Sequence, residues 1–153
     1  MGTKAFSLST VFQSLPAALL VMNPDMIIVA ATDNFYKLTL NKKGELIGKY
    51  IFDVFPENSH TAKAGGEKKV KASFEHVIKY KTTHTLPVQR YDLKLPIRNN
   101  ENFTNRWWRI TNSPVLSTNG ELAYIINVVE DITSIIDKLE EAQTAIKLKQ
   151  RKS

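Results

Sequence analysis

The chain has 153 residues, is 42% hydrophobic and 24% charged, and carries a formal net charge of +6, an ordinary balance for a domain large enough to bury its own core. It has no cysteine, which excludes disulfides, thiolate metal sites, cysteinyl nucleophiles and cysteinyl chromophore adducts and suits a reducing, cytoplasmic setting. The positive charge does not point to nucleic acid: Lys147, Lys149, Arg151 and Lys152 are four of the 21 basic residues, leaving 17 against 15 acidic ones, and cations at a helix end complement its dipole.

No apolar run approaches the ~20 residues of a membrane-spanning helix; the best, Leu15 to Met22, is short and contains Pro16. One early lysine without a small-residue cleavage site argues against a signal peptide. Phe6 stands where a myristoylation motif carries Ser or Thr.

Ser9 or Thr10 is expected to cap a short helix with Val11, Phe12 and Leu15 on one side, ended by Pro16. Leu19 to Met22 reads as a strand, Asn23-Pro24-Asp25 as a turn, and Met26 to Ala30 as the return strand of a first hairpin. Thr32 or Asp33 then caps a helix through about Leu40, with Phe35, Leu38 and Thr39 inward. Gly44 to Gly48 reads as a short helical turn, Phe52 to Pro56 as an apolar connector, and 57–66 as a loop. Val70, Phe74, Val77 and Ile78 make a core stripe on a helix from Glu67 to about Lys81.

Val88 to Leu95 alternates as one half-buried strand, with Arg90, Asp92 and Lys94 facing away from Tyr91, Leu93 and Leu95. Asn99 to Asn105 is a polar loop. An aromatic-rich strand then runs to Leu116, turns through Ser117-Thr118-Asn119-Gly120, and returns as a β-branched strand from about Leu122 to Val129. Glu130 to Thr133 leads directly into a charged, helix-forming tail. Runs of strands split by helices indicate an α+β fold with an antiparallel sheet.

Signatures of catalysis are missing: the chain has no GxSxG, Walker loop, HExxH or kinase-type glycine loop. Gly65-Gly66-Glu67-Lys68 lacks the spacing to cradle phosphate, and Asp53 with Glu57 has no substrate cleft suggested nearby. The imidazoles are His60, His76 and His84. His76 falls one step off the core stripe, so a boundary position is expected and haem and metal are disfavoured. Trp107 and Trp108 must point to opposite faces of their strand. One of them, flanked by Arg106 and Arg109, is either an interface residue or a ring stacked under arginine.

In the tail, Ile132, Leu139 and Ile146 fall seven apart, with Ile135 or Ile136 and Ala142 or Gln143 between them. That is the seam of a parallel coiled coil, with Lys138, Glu140, Glu141 and Lys147 flanking it. The expected homodimer seam is Ile132, Ile135, Leu139, Ala142 and Ile146. The alternative is an amphipathic helix lying back on the sheet. A chain ending inside a helix is expected to be a fragment of a longer protein.

Several stretches, in order, carry a resemblance. They are Leu19 to Asp25 with Ile27 to Ala31, Thr32-Asp33-Asn34-Phe35, Leu46 to Lys49, and Phe52 to Asn58. They continue with Val88 to Asp92, Trp108, Pro114 to Leu116, Gly120, Tyr124 to Ile126 and Val129 to Thr133. Together they resemble a PAS domain, a sensory module of bacterial histidine kinases and cyclic-di-nucleotide enzymes. The resemblance implies a five-stranded antiparallel sheet with helices on one face and a C-terminal signalling helix. It divides the chain into an N-terminal capping helix over 1–16, a core over 17–133 and the signalling helix over 134–153.

It further implies a non-catalytic signal-input domain of a two-component sensor histidine kinase. Such a domain passes a ligand- or partner-induced change to a downstream effector domain of the same parent chain. The alternative is a dimerisation or scaffolding module with no ligand. Phe35, Tyr91, Trp108 and Asn127 are the ligand-facing residues this implies, and Asp131 and Thr133 the transmission step. The subgroup often carries His where this chain has Asn127, which removes another haem candidate. Without a reactive cysteine a covalent flavin is disfavoured, and the cofactor is left open.

Overall fold

A computed structural model describes residues 5–56, 65–95 and 103–152. In chain order the elements are α1 (Leu8–Gln13), β1 (Ala18–Met22), β2 (Ile28–Ala31), α2 (Asp33–Thr39), α3 (Ile51–Val54) and α4 (Gly66–Tyr80). They continue as β3 (His84–Thr85), β4 (Gln89–Arg90), β5 (Leu93–Lys94), β6 (Phe103–Thr104), β7 (Trp107–Leu116), β8 (Leu122–Asp131) and α5 (Thr133–Arg151).

β1 buries Ala18, Leu20 and Met22 and half-buries the residues between them, the mark of a strand with one core face. It lies between β2 and β8, both antiparallel to it. β8 pairs with β7 from Trp108 opposite Asp131 to Leu116 opposite Leu122. The outer edge of β7 is shared by β3 and β4. The five sheet positions therefore run β2-β1-β8-β7 and then this divided edge.

Both hairpin turns are made by polar side chains that bond their own backbone. Asn23 Oδ1 accepts from the N–H groups of Asp25 and Ile27, each at 3.0 Å. Asn119 Oδ1 accepts from Glu121 N–H at 3.1 Å, and Gly120 supplies the positive φ of +82° that a side chain resists.

The helices cover one sheet face. Phe35 and Tyr36 of α2, Ile51 and Phe52 of α3, and Phe74 and Val77 of α4 pack with Leu20, Met22, Ile28 and Ile125 from the strands. Thr32 is fully buried and ties this layer to the sheet. Its hydroxyl donates to Ala17 O at 2.8 Å and accepts from Leu19 N–H and Phe35 N–H. It thus caps α2 and anchors the start of β1 at once.

Several expectations need correction. The cap of α1 is Ser7, which accepts from Thr10 N–H at 3.2 Å, not Ser9 or Thr10. α1 buries no residue, and its Val11 is exposed. Residues 44–48 form no helix, because Gly44 and Gly48 both take positive φ. Instead Gly48 N–H donates to Ile28 O at 2.7 Å, and Leu46 is buried beneath.

The expected strand from Val88 to Leu95 breaks into β4 and β5, which belong to different sheets. The break falls at Asp92, which is buried rather than solvent-facing. Arg90 folds back on it through Nε at 3.1 Å and Nη2 at 3.0 Å, so the alternating pattern is interrupted by a local ion pair. Of the expected loops at 57–66 and 99–105, residues 57–64 and 99–102 lie outside the described residues, with His60 and Glu57 among them. Phe103 and Thr104 belong to β6 and pair with β5 rather than to a loop.

The helix α5 leaves the sheet without burying any residue, so it does not lie back on it. Ile135, Leu139, Ala142 and Ile146 are exposed. Ile132, expected to open the seam, is only 7% exposed. Its N–H donates to Trp107 O at 2.9 Å, so it still extends the ladder between β8 and β7. The exposed stripe begins at Ile135.

Candidate ligand cavity and signalling junction

Between sheet and helices the side chains leave a cavity of about 110 Å³. Its walls are largely aromatic: Phe35 from α2, Phe52 from α3, Phe74 from α4, Phe55 and Tyr91 from connecting segments, and Trp108 from β7. Edge-on contacts join Phe35 to Phe55 at 6.0 Å and Phe55 to Tyr91 at 6.5 Å between ring centres. Such rings are stiff and apolar, so the space is shaped for an uncharged guest.

Tyr91 is held at both ends. Its hydroxyl donates to Pro56 O at 3.0 Å, and its carbonyl accepts from Trp108 Nε1–H at 2.8 Å. The four residues named from the sequence, Phe35, Tyr91, Trp108 and Asn127, all line this one cavity. Thr39 also lines it, but its hydroxyl is spent on Phe35 O at 2.7 Å.

Asn127 brings polarity to the sheet side of the cavity. Its amide donates to Asn112 Oδ1 at 2.7 Å, and Asn112 donates in turn to Ser73 Oγ at 2.9 Å. Ser73 Oγ lies 2.7 Å from His84 Nδ1. The His84 ring lies 4.8 Å from that of His76 at a tilt of 38°, and His76 is half-buried as a boundary residue should be. This polar chain escaped the residue-by-residue reading of the sequence. Its signal was available: Asn112 follows Trp108 and Ile110 at period two, and Asn127 sits between Ile125 and Val129 in the same way. Ser73 and His84 carried no such signal, since only the fold brings α4 against β3.

One residue beyond the cavity wall lies the start of α5. Trp107 N–H donates to Thr133 Oγ1 at 2.9 Å, and Thr133 donates from its hydroxyl and its N–H to Asp131 Oδ1. Arg106 Nε is 3.3 Å from the other oxygen of Asp131. The backbone N–H of Arg106 reaches Asp92 Oδ1, also at 3.3 Å. Asp131 and Thr133 therefore fasten the first turn of α5 to β7, beside Trp108. One step outward, Arg109 donates to Glu130 at 2.6 Å. That hydrogen bond draws the Glu130 carboxyl below the usual carboxylate range and raises Arg109.

Among the described residues no three His, Asp or Glu side chains gather as metal ligands, and no helix is long and apolar enough to cross a membrane.

The sequence matches the PAS fold family over residues 12–135. No curated protein matches it. An RNA-binding Light-Oxygen-Voltage receptor superposes with a TM-score of 0.66 at 18% identity, covering 99% of this chain and 42% of that one. The PAS domain of a Colwellia psychrerythraea protein gives 0.62 at 14% identity, covering 82% and 94%. A sensory box sensor histidine kinase from Vibrio cholerae gives 0.51 at 18% identity, covering 81% and 87%. Identities this low speak to the fold alone. The family match spans most of the chain, and the antiparallel sheet, the helical layer over one face and the outgoing helix agree with it. This chain belongs to the PAS fold family.

Proposed function

We propose that this domain receives a small uncharged ligand in the aromatic cavity and passes the resulting change to α5. The supporting observation is the junction: Trp108 walls the cavity, and its neighbour Trp107 donates to Thr133 at the root of α5. A ligand that moves β7 must move, stretch or break that bond. The domain itself is non-catalytic input, and its parent is a cytoplasmic two-component sensor histidine kinase. The effector domain of that parent reads α5 as one of a pair. The exposed Ile135, Leu139 and Ile146 support a second copy as partner, because apolar residues recurring along an otherwise polar helix are covered by pairing. Packed helix pairs shift between discrete arrangements, which is what a sensor needs. The same stripe also suits a dimerisation module without ligand, so the test must address transmission.

The test is amide hydrogen exchange at 134–136 with benzene as the cavity probe. Saturating benzene should change exchange there in the native sequence and leave it unchanged in Asp131→Ala. Loss of the Asp131 acceptor should also open the first turn by about 1 kcal/mol, or roughly fivefold faster exchange. Unchanged exchange in the native chain at full occupancy would leave only the scaffolding reading.

A further inference from the structure

The chain Asn127–Asn112–Ser73–His84 has a direction. A serine hydroxyl has one hydrogen to give, and each amide offers N–H on one side and oxygen on the other. Neutral imidazole with its hydrogen on Nε2 leaves Nδ1 bare, so Ser73 donates outward to His84. Ser73 Oγ then accepts from Asn112, and Asn112 Oδ1 accepts from Asn127, as the distances of 2.7, 2.9 and 2.7 Å allow. Asn127 lines the cavity and Asn112 does not. The Asn127 atom not committed to Asn112 is therefore the one left to a ligand, and in this state it is the carbonyl oxygen.

A hydrogen on Nδ1 reverses every link when Ser73 gives its own hydrogen to Asn112 rather than to its helix. Ser73 accepts from His84 and donates to Asn112 Oδ1. Asn112 turns over and donates to Asn127 Oδ1, and Asn127 presents its NH₂ to the cavity. Asn112 is fully buried and Asn127 and Ser73 nearly so, so water cannot easily replace a mismatched link. We propose that His84 sets the hydrogen-bonding sense of the cavity through this relay. The cavity then selects a single-ring uncharged molecule that donates an N–H or O–H when His84 is neutral with its hydrogen on Nε2, and one that accepts when His84 is protonated.

This rests on the cavity being a ligand site, as argued above. The ligand class follows from the walls. A space of about 110 Å³, smaller than the cavity of about 150 Å³ that holds benzene, limits the guest to at most one small ring. Six aromatic side chains favour a flat guest. A charged guest would lose its hydration with little return from apolar walls. Of the ionisable groups facing His84, α4 contributes His76 at 4.8 Å between rings, itself 3.3 Å from Thr82 Oγ1 through Nε2. Opposite, β7 presents the uncharged Asn112 and Thr111 in register with His84 and Thr85. On the cavity itself Glu67 is the acid.

Three probes separate the possibilities: pyrrole donates, pyrimidine accepts, and benzene does neither. None titrates between about pH 5 and pH 8, the range in which an imidazole does. Binding of each is measured by NMR across that range, with the His84 ring signals followed in parallel. The ratio of pyrrole to pyrimidine affinity should fall about tenfold as His84 gains its proton, one hydrogen bond's worth, while benzene affinity holds. In His84→Gln, which keeps a hydrogen-bonding partner but cannot titrate, the ratio should become flat with pH. In His76→Gln and in Glu67→Gln the pH dependence should persist. A flat ratio in the native chain with all three probes bound overturns the relay and leaves the cavity reading intact. That is the result expected if Ser73 turns its hydroxyl to its own helix instead. Failure of all three probes to bind overturns both.

Discussion

At the scale of single residues, Asp92 shows how a carboxylate survives burial. It is 2% exposed and takes a two-pronged hydrogen bond from Arg90, whose pKa is pushed upward by that bond and by the carboxylate's charge. Two substitutions should differ in a revealing way. Asp92→Asn removes the charge but keeps an oxygen for Arg90 and for the Arg106 N–H. Arg90→Ala removes both charge-assisted bonds from a carboxylate that stays buried. Arg90→Ala should cost about 1.5–3 kcal/mol and Asp92→Asn less, measured by urea unfolding. An equal or smaller loss for Arg90→Ala would mean the pair is held by something other than this bond. The same residue marks a limit of reading strands by alternation. Period two was enough to put Asn112 on the face of Trp108 and Asn127 on that of Ile125, a signal left unread in the sequence. It misplaced Asp92, because a partner two residues away lets a charge go inside and bends the strand in doing so. Ser73 and His84 lay beyond any local pattern, since their meeting depends on α4 crossing the end of β3.

At the scale of elements, α5 buries none of its residues against the rest of the chain, and its proposed pairing can be tested apart from the fold. Leu139 is 56% exposed, so it contributes little to the domain's own core. Leu139→Lys should leave thermal unfolding within about two degrees of the native value, as surface changes usually do. Placed at a seam position, the lysine should raise the dissociation constant of a dimer by at least about tenfold in sedimentation equilibrium. A native chain that remains monomeric at high concentration would remove the coiled coil altogether. Ile132 shows why heptad spacing alone does not fix where an exposed stripe begins. Heptad spacing extends back to it without a break, yet its N–H is bonded to Trp107 and its side chain is buried. Periodicity alone does not say where a sheet releases a helix. The Asp131–Thr133 clamp does, and that clamp was visible as a polar pair astride one apolar residue.

At the scale of the whole molecule, the cavity sets sensing against stability. A recess of about 110 Å³ between sheet and helices leaves its lining side chains short of packing partners, which lowers stability. A pure scaffold gains nothing from such a loss, whereas a receiver needs the space. Val70 lines the cavity from α4, one turn before Phe74, so Val70→Phe extends a ring toward the void. If the ring settles among Phe52 and Phe74, the variant should gain up to about 1–2 kcal/mol and lose binding of benzene, pyrrole and pyrimidine together. Exchange at 134–136 should then no longer respond to any of them. Calorimetry and the same NMR titrations read both halves. A variant that is stabilised yet still binds benzene as before would show that the probe sits elsewhere. A variant that is destabilised would show that the helices already fill this space too tightly to yield, as overpacked cores do, and the cavity could not then act as a receiver.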